Sequence, residues 1–145
     1  MENEHIPAFF RFEDLRIYHK ALDYINWVFK AAESFPEEEF DGLASRFIQA
    51  AESIAFNIAE GSARNKSQFI YYLKMAKSSV RECVVLTSII QNLDYLSEQQ
   101  ISYSREQLME MTKMLGALIG SLQRSNPPNR DQDDDSDDNY SGKYD

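Results

Sequence analysis

The chain has 145 residues, of which 43% are hydrophobic, and a formal net charge of −9 from 15 basic and 24 acidic residues. Its length suits one domain with a tail. The low counts of glycine (5) and proline (4) argue against β-sandwich and α/β folds, whose connections use these residues repeatedly. The single cysteine, Cys83, excludes an internal disulfide framework. We therefore expect an all-α protein in a reducing, cytoplasmic compartment.

The sequence carries no pattern typical of membrane insertion or of catalysis. The N-terminus has no basic region before its short apolar patch, and no apolar run approaches the roughly 18 residues that a membrane span needs. Nucleotide-binding glycine motifs and metal-ligand clusters of Cys and His are absent from it. No motif that would activate Cys83 surrounds it. The expectation is a non-enzymatic protein without a metal, another cofactor, a small-molecule substrate or a membrane partner.

Residues 1–12 are predicted to form a flexible arm, and residues 13–124 to form four helices, because apolar residues recur there at steps of three and four. The first helix is expected to begin after Glu13 and Asp14 and to end before Pro36. The second is expected to end at Gly61, where glycine would act as a stop. The first apolar row of helix 1 consists of Leu15, Tyr18, Leu22, Ile25, Phe29 and Ala32.

The third helix is predicted over Lys66–Leu93, with Asn65 and Gln68 as a capping pair at its start. A capping box of Ser97 and Gln100 opens the fourth helix, in which Gly116 and Gly120 predict close packing against a neighbour. Short loops between four long helices favour an antiparallel, up-down-up-down four-helix bundle.

Helices 1 and 3 are apolar over more of their circumference than a bundle of this kind requires. Each has a second apolar row beside the first, and a four-helix monomer was expected to leave these rows uncovered. They therefore predict self-association, with a second copy of the chain as the partner. The predicted subunit contacts are Ile17, Ala21, Tyr24 and Val28 on helix 1, and Tyr72, Met75, Leu86 and Ile89 on helix 3.

Polar residues occupy positions where the helical pattern predicts apolar ones. Asn57 lies in the apolar row of helix 2, Glu60 and Arg64 follow at its end, and Glu82 lies on helix 3. We interpret them as a hydrogen-bonded structural cluster at the turn between helices 2 and 3, with Glu82 as a partner of Arg64 or Asn57. A ligand site is the less favoured alternative.

The stretch from Ser62 to Arg81 contains five cations and no acid: Arg64, Lys66, Lys74, Lys77 and Arg81. The last three recur at steps of three and four, which places them on one helix face. Such a face can follow a phosphate backbone, so these residues are candidate nucleic-acid contacts. An ordinary solvated surface is the alternative.

Residues 125–145 contain seven aspartates against Arg130 and Lys143, with two prolines and no apolar periodicity. This composition predicts a disordered acidic tail, because it cannot bury enough apolar surface to offset the entropy of ordering. The tail is interpreted as a solubilising segment, or alternatively as a mimic of nucleic acid that occupies a basic surface.

Three segments carry a family resemblance: FRFEDLRIYHKA, SIAFNIAEGSARNKSQFIYYLKMAKSSVREC and LMEMTKMLGALIGSL. Together they resemble the four-helix-bundle proteins encoded in intervening sequences of large-subunit ribosomal RNA genes. The same superfamily includes the accessory variability determinant of diversity-generating retroelements. The resemblance implies a homopentamer without catalytic activity. It places the family's signature polar positions on Asn57, Glu60, Gly61, Arg64 and Glu82.

Two functional hypotheses follow from these patterns. The first is a non-enzymatic, homo-oligomeric helical scaffold that binds RNA or an RNA-handling protein through the basic face. The alternative is an accessory subunit of a retroelement that binds its reverse transcriptase and template RNA, as the resemblance implies for that branch of the superfamily.

Overall fold

The computed structural model describes residues 9–125 of the chain, and all its long elements are helices. They are α1 (Arg16–Ala32), α2 (Ser45–Ser62), α3 (Lys66–Leu93) and α4 (Glu98–Arg124). No strand occurs within residues 9–125. The prediction of an all-α chain with four helices is confirmed. Most of the predicted arm and of the predicted tail lies outside the described residues.

The helix boundaries follow from the capping residues. Asn65 accepts a hydrogen bond from the backbone N–H of Gln68 at 2.9 Å, and α3 begins at the next residue. Ser97 and Gln100 form a reciprocal capping box, so that two N–H groups at the start of α4 are satisfied. Both predicted caps are confirmed. Asp94 ends α3 in the left-handed conformation, with φ of 63°, which aspartate tolerates better than most residues.

The connection between α1 and α2 is built from short helical turns. A 3-10 turn at Glu37–Glu39 follows Pro36, and a π-turn at Phe40–Ala44 leads directly into α2. A second 3-10 turn, Arg11–Asp14, precedes α1. Each of the four helices packs against two others, since α2 contacts α1 and α3, and α4 contacts α3 and α1.

The second apolar row of α1 lies in the core of the monomer. Ile17, Ala21, Tyr24 and Val28 are all buried by the chain itself. Their prediction as subunit contacts is wrong, because α1 is covered on two sides, by α2 and by α4, and a helix in that position buries a wider arc than one contact line. Phe29, a member of the first row, faces outward and is 46% exposed.

The second row of α3 is divided between the core and the surface. Leu86 is buried, so its prediction as a subunit contact is also wrong, whereas Tyr72 is half-buried and Met75 and Ile89 are exposed. The exposed apolar side chains of α3 form a row on its outer face, which we call the α3 row. Its members are the non-aromatic ones, Met75, Val85, Ile89 and Leu93.

A chain of buried hydroxyl groups joins α1, α3 and α4. The Thr87 hydroxyl lies 2.8 Å from the Cys83 carbonyl oxygen and donates to it, so the Ser104 hydroxyl, 2.9 Å from Thr87, must donate to Thr87. Tyr24 in turn donates to Ser104, at 2.7 Å. Each hydroxyl has one proton, so this is the arrangement in which every donor is used. Within residues 9–125 no buried side-chain nitrogen or oxygen lacks a partner.

Candidate nucleic-acid interface

Contacts between the helices divide the bundle into two halves along its length. Arg11 lies 5.6 Å above the ring of Phe69, and the first turn of α1 shares a cavity of about 220 Å³ with Met114 and Leu118 of α4. Ser53 of α2 hydrogen-bonds to Ser79 of α3 at 2.8 Å. These contacts place residues 9–20, 53–81 and 110–125 together, and we call this part the basic half.

The two remaining segments, residues 21–52 and 82–109, meet at the other end. The rings of Phe35 and Tyr95 are 5.6 Å apart, and the Tyr95 hydroxyl donates to Glu39 at 2.9 Å. Arg46 contacts Glu82 nearer the middle of the bundle, at 3.2 Å. We call this part the acidic half.

Charge is strongly separated between the two halves. The basic half contains ten cations and four acids, a net of 10 − 4 = +6, and the acidic half contains three cations and eleven acids, a net of 3 − 11 = −8. The cations of the basic half are Arg11, Arg16, Lys20, Arg64, Lys66, Lys74, Lys77, Arg81, Lys113 and Arg124. The net charge of the whole chain is negative, yet one half of the bundle has a positive surface.

Two titratable groups, one in each half, have pKa shifts that come mainly from a direct partner. The pKa of Glu110, in the basic half, is lowered by its hydrogen bond and ion pair with Lys20, and further by the charges of Arg16 and Lys113. The pKa of Tyr95, in the acidic half, is raised by its hydrogen bond to Glu39, by burial and by nearby glutamate charge. Lys20 is positive and favours the charged form of Glu110, whereas Glu39 is negative and favours the neutral form of Tyr95.

The five predicted cations lie together along the first part of α3 and the turn before it. Arg64 and Arg81 are exposed, and Lys66, Lys74 and Lys77 are half-buried. Half-burial of a lysine covers its aliphatic stem while the ammonium group stays at the surface. The Arg81 guanidinium donates to the Ser78 hydroxyl at 3.2 Å, which holds it close to the helix. The helix on which the sequence places Lys74, Lys77 and Arg81 is present, and their role as nucleic-acid contacts stays a prediction.

Aromatic rings interleave with these cations. The Arg64 guanidinium lies 5.2 Å above the ring of Tyr72, and the Tyr72 ring contacts that of Tyr71 edge to face, at 5.5 Å. Arg64 also pairs with Glu60, one turn earlier on α2. This hydrogen bond is the main reason that the pKa of Arg64 is raised. Tyr71 is 37% exposed, one turn before Lys74, so it presents a ring that a nucleic-acid base can stack on.

Gly61 allows α2 and α3 to approach each other closely beside this surface. A Cβ atom at Gly61 would lie 2.6 Å from the Tyr72 Cβ and 3.0 Å from the Phe69 ring, distances that no folded chain accepts without movement. The prediction that Gly61 stops the helix is wrong, because α2 continues to Ser62. Glycine is needed at position 61 because it has no side chain to keep the two helices apart, and not because of its backbone freedom.

The predicted polar cluster is only partly present. Asn57 is half-buried and donates to the Ser53 carbonyl and hydroxyl oxygens of its own helix, at 2.9 and 3.2 Å. Glu82 pairs with Arg46 and not with Arg64 or Asn57. The reason is distance, since Glu82 lies ten residues beyond Tyr72 on α3, a rise of about 15 Å.

The rest of the basic half was missed by sequence reasoning. Arg11, Lys113 and Arg124 are far from α3 in sequence and come to the same half through packing. One signal could have indicated them: α4 contains no acid from Met111 to its end at Arg124. The predicted close approach at Gly116 is also wrong, because a Cβ there would have nothing within 4 Å.

Other kinds of site find little support within the described part of the chain. There, no group of three or more His, Cys, Asp or Glu residues is placed to hold a metal ion. Burial raises the pKa of the Cys83 thiol to about 12, so it stays protonated at neutral pH. Among residues 9–125 no helix has both the length and the apolar character of a membrane span.

Comparison with known proteins identifies the family. The model of the 23S rRNA-intervening sequence protein family matches residues 13–117. The chain belongs to this family. A search of curated proteins yields no match for this member of the 23S rRNA-intervening sequence proteins. A solved structure from Bacteroides thetaiotaomicron, described as a protein with unknown function from the S23 ribosomal protein family, is similar to it in fold, with a TM-score of 0.66 and 18% sequence identity.

The fold similarity covers 72% of this intervening-sequence protein and 95% of the Bacteroides chain. The family match includes all five predicted cations on and beside α3, and it leaves out Arg11 and Arg124 at the edges of the basic half.

Proposed function

We propose that the protein is a non-enzymatic, homo-oligomeric helical scaffold that binds RNA through the basic half of its bundle. The observation that carries this proposal is the separation of charge, with +6 on one half and −8 on the other. Because nonspecific affinity for nucleic acid comes mainly from cations that neutralise phosphates, the basic half is the part of the surface suited to an RNA backbone.

The arrangement of side chains favours single-stranded RNA. Lys74, Lys77 and Arg81 follow one face of α3, and Tyr71 lies beside them. Aromatic rings next to a row of cations bind single strands by stacking bases while the cations neutralise the backbone. In a paired helix the bases are already stacked on each other and are not free to use such a ring.

Self-association is proposed through the α3 row. The order of contacts along α2 and α3, from Arg46–Glu82 to Ser53–Ser79 to Gly61–Tyr72, supports an antiparallel course of these helices. The bundle leaves the outer face of α3 without a covering helix, with Val85 57% and Ile89 41% exposed. Val85, Ile89 and Leu93 follow each other at steps of four residues, so they lie on one stripe of α3, as residues in helix–helix contacts do. We propose a pentamer, which the family resemblance implies, and a ring of copies would multiply the cations available to one RNA.

Charge reversal on α3 tests the RNA proposal. The double variant Lys74→Glu and Lys77→Glu should bind a 20-nucleotide single-stranded RNA roughly 30-fold more weakly at low salt, because attraction to two phosphates becomes repulsion. The slope of log affinity against log salt should become shallower by about two. Fluorescence anisotropy measures both quantities.

The matched control is Lys30→Glu with Arg105→Glu, a reversal of two charges in the acidic half, which should leave the RNA affinity within about twofold. Equal losses for the two variants, or an affinity of the unmodified protein that does not change with salt, would contradict binding through the basic half. Thermal unfolding of each variant verifies that the fold is retained.

Glutamates in the α3 row test the assembly. The unmodified protein should have a mass near five copies of the 16.8 kDa chain, about 84 kDa, by light scattering. Val85→Glu with Ile89→Glu should reduce it to 16.8 kDa, because an interface does not tolerate four or more buried, unpaired charges of one sign. Phe29→Glu is the control, since Phe29 is 46% exposed on α1, away from the row. A monomeric unmodified protein would rule out the assembly.

The prediction of a reverse-transcriptase partner stays a prediction, and no feature of the described residues favours it over RNA alone.

A further inference from the structure

The acidic C-terminal segment leaves the bundle from its basic half. Ser125, the last described residue, is exposed and follows the end of α4. Residues 126–145 hold seven aspartates against Arg130 and Lys143, a net of 2 − 7 = −5. We call this segment the acidic tail. The most negative part of the chain is thus attached directly to its most positive surface.

We infer that the acidic tail binds the basic half of its own chain and competes there with RNA. This inference rests on the proposed RNA-binding function of that surface. The tail supplies the chemistry that an RNA backbone would supply, which is a series of closely spaced negative charges.

The chain length permits this contact. Asp131 follows Ser125 by six residues, which in an extended chain span about 20 Å. Lys66, Lys74 and Lys77 lie within the first 12 residues of α3, a rise of about 17 Å from the end of the bundle at which α4 also finishes. The chain is therefore long enough for the five further aspartates between residues 132 and 138 to reach the basic face.

Electrostatics select this surface over the rest of the molecule. The acidic half, with a net charge of −8, repels the tail, and the basic half, with +6, attracts it. Because the tail is tethered, its effective concentration at the basic half is in the millimolar range. Against an intrinsic dissociation constant of roughly 0.1 mM, typical of weak polyanion binding, this would occupy the surface about nine-tenths of the time.

Cross-linking of the full chain tests the contact without RNA. A zero-length carbodiimide reagent joins carboxylates to amines that touch. At low salt it should link the aspartates of residues 131–138 to Lys66, Lys74 or Lys77, and at 0.5 M NaCl these links should fall at least tenfold. Lys30, the lysine of the acidic half, is the internal control. Links to Lys30 as frequent as those to α3, or no links to α3, would overturn the inference.

Isotope labelling decides whether the tail binds its own chain. In a mixture of ¹⁵N-labelled and unlabelled protein that has been refolded together, linked peptide pairs should be entirely light or entirely heavy. Mixed pairs at the statistical frequency would overturn binding within one chain.

The effect on RNA is tested with a full-length variant in which Asp131, Asp133, Asp134, Asp135, Asp137 and Asp138 are each replaced by Asn. It should bind the 20-nucleotide RNA roughly tenfold more tightly than the unmodified protein at low salt, and the gain should vanish at high salt. A control for net charge neutralises six exposed acids of the acidic half and should gain less than about twofold. Its substitutions are Asp23→Asn, Glu33→Gln, Glu37→Gln, Glu38→Gln, Asp41→Asn and Glu106→Gln.

The two proposals fail in different ways. If the cross-links form but neither protein binds RNA, the proposed function fails and the tail contact stands. If both proteins bind RNA equally and the cross-links to α3 are absent, the tail inference fails and the proposed function stands.

Discussion

Replacing Gly61 with alanine should lower the free energy of unfolding by about 2 kcal/mol, and replacing it with leucine should lower it by about 4 kcal/mol. The alanine Cβ would lie 2.6 Å from the Tyr72 Cβ, an atom that moves only if α2 and α3 separate. Separation weakens the contact between two helices along most of their length. The higher helix propensity of alanine, about 1 kcal/mol, offsets only part of this loss.

Gly116→Ala is the matched control, because Gly116 also lies within a helix but its Cβ position is open. This variant should gain about 0.5 to 1 kcal/mol from helix propensity alone. Urea unfolding followed by circular dichroism measures all three variants. Equal effects of alanine at positions 61 and 116 would show that helix propensity, and not the close approach, governs position 61.

The second large effect is a loss of stability at alkaline pH. Burial is the main cause that raises the pKa of the Cys83 thiol from 9.0 to about 12, and it also raises the pKa of Tyr24. A raised folded-state pKa means that the folded chain holds its proton more tightly than the unfolded chain, so the stabilisation is complete below pH 9. It is lost as the pH rises through the folded-state value. Ionisation of the Cys83 thiol alone should lower the free energy of unfolding by about 4 kcal/mol as the pH rises from 9 to 12.

Single substitutions show how much Cys83 and Tyr24 each contribute to the loss of stability at alkaline pH. Cys83→Ala removes the thiol, so it should lower stability at neutral pH by leaving a small cavity and should also make the alkaline decline shallower. Tyr24→Phe should act similarly, since Ser104 and Thr87 keep each other as partners. Denaturant unfolding at pH 7 to 12 gives the slopes. A decline of equal slope in Cys83→Ala would mean that the thiol does not contribute.

The number of helices and the start of each of the last two could be predicted because their signals are local. Asn65 and Ser97 cap helices through contacts within three residues, so no knowledge of the rest of the fold is needed. The row of cations on α3 likewise depends only on helix periodicity. The two caps and the number of helices were confirmed, whereas the role of the cations stays a prediction.

Predictions that depended on which helices are neighbours were less successful. The apolar pattern of α1 indicates how wide its buried arc is, but not whether α2 and α4 or a second copy of the chain covers it. Ile17, Tyr24 and Val28 turned out to be core residues for this reason. The sequence indicates Arg64 or Asn57 as the partner of Glu82, while its height along α3 places it beside Arg46.

The charge separation also depends on which helices are neighbours, so the sequence alone does not predict it. The composition gives a net charge of −9, which by itself argues against an RNA-binding surface. Only the contact of Arg11 with Phe69 of α3 and the packing of α4 against α1 and α3 bring Arg11, Arg16, Lys113 and Arg124 to the half that already holds the cations of α3. A surface built from three separate stretches of sequence has no single motif, so pattern analysis found only its longest part.

The most direct test of RNA binding by the basic half is to map where RNA touches the protein. A short single-stranded RNA containing 4-thiouridine would be photo-cross-linked to the full-length protein, and the attachment sites would be identified by mass spectrometry. We expect them on Tyr71, Tyr72 and neighbouring residues of the segments 9–20, 53–81 and 110–125. Cross-links concentrated in residues 21–52 and 82–109, the acidic half, would contradict the account.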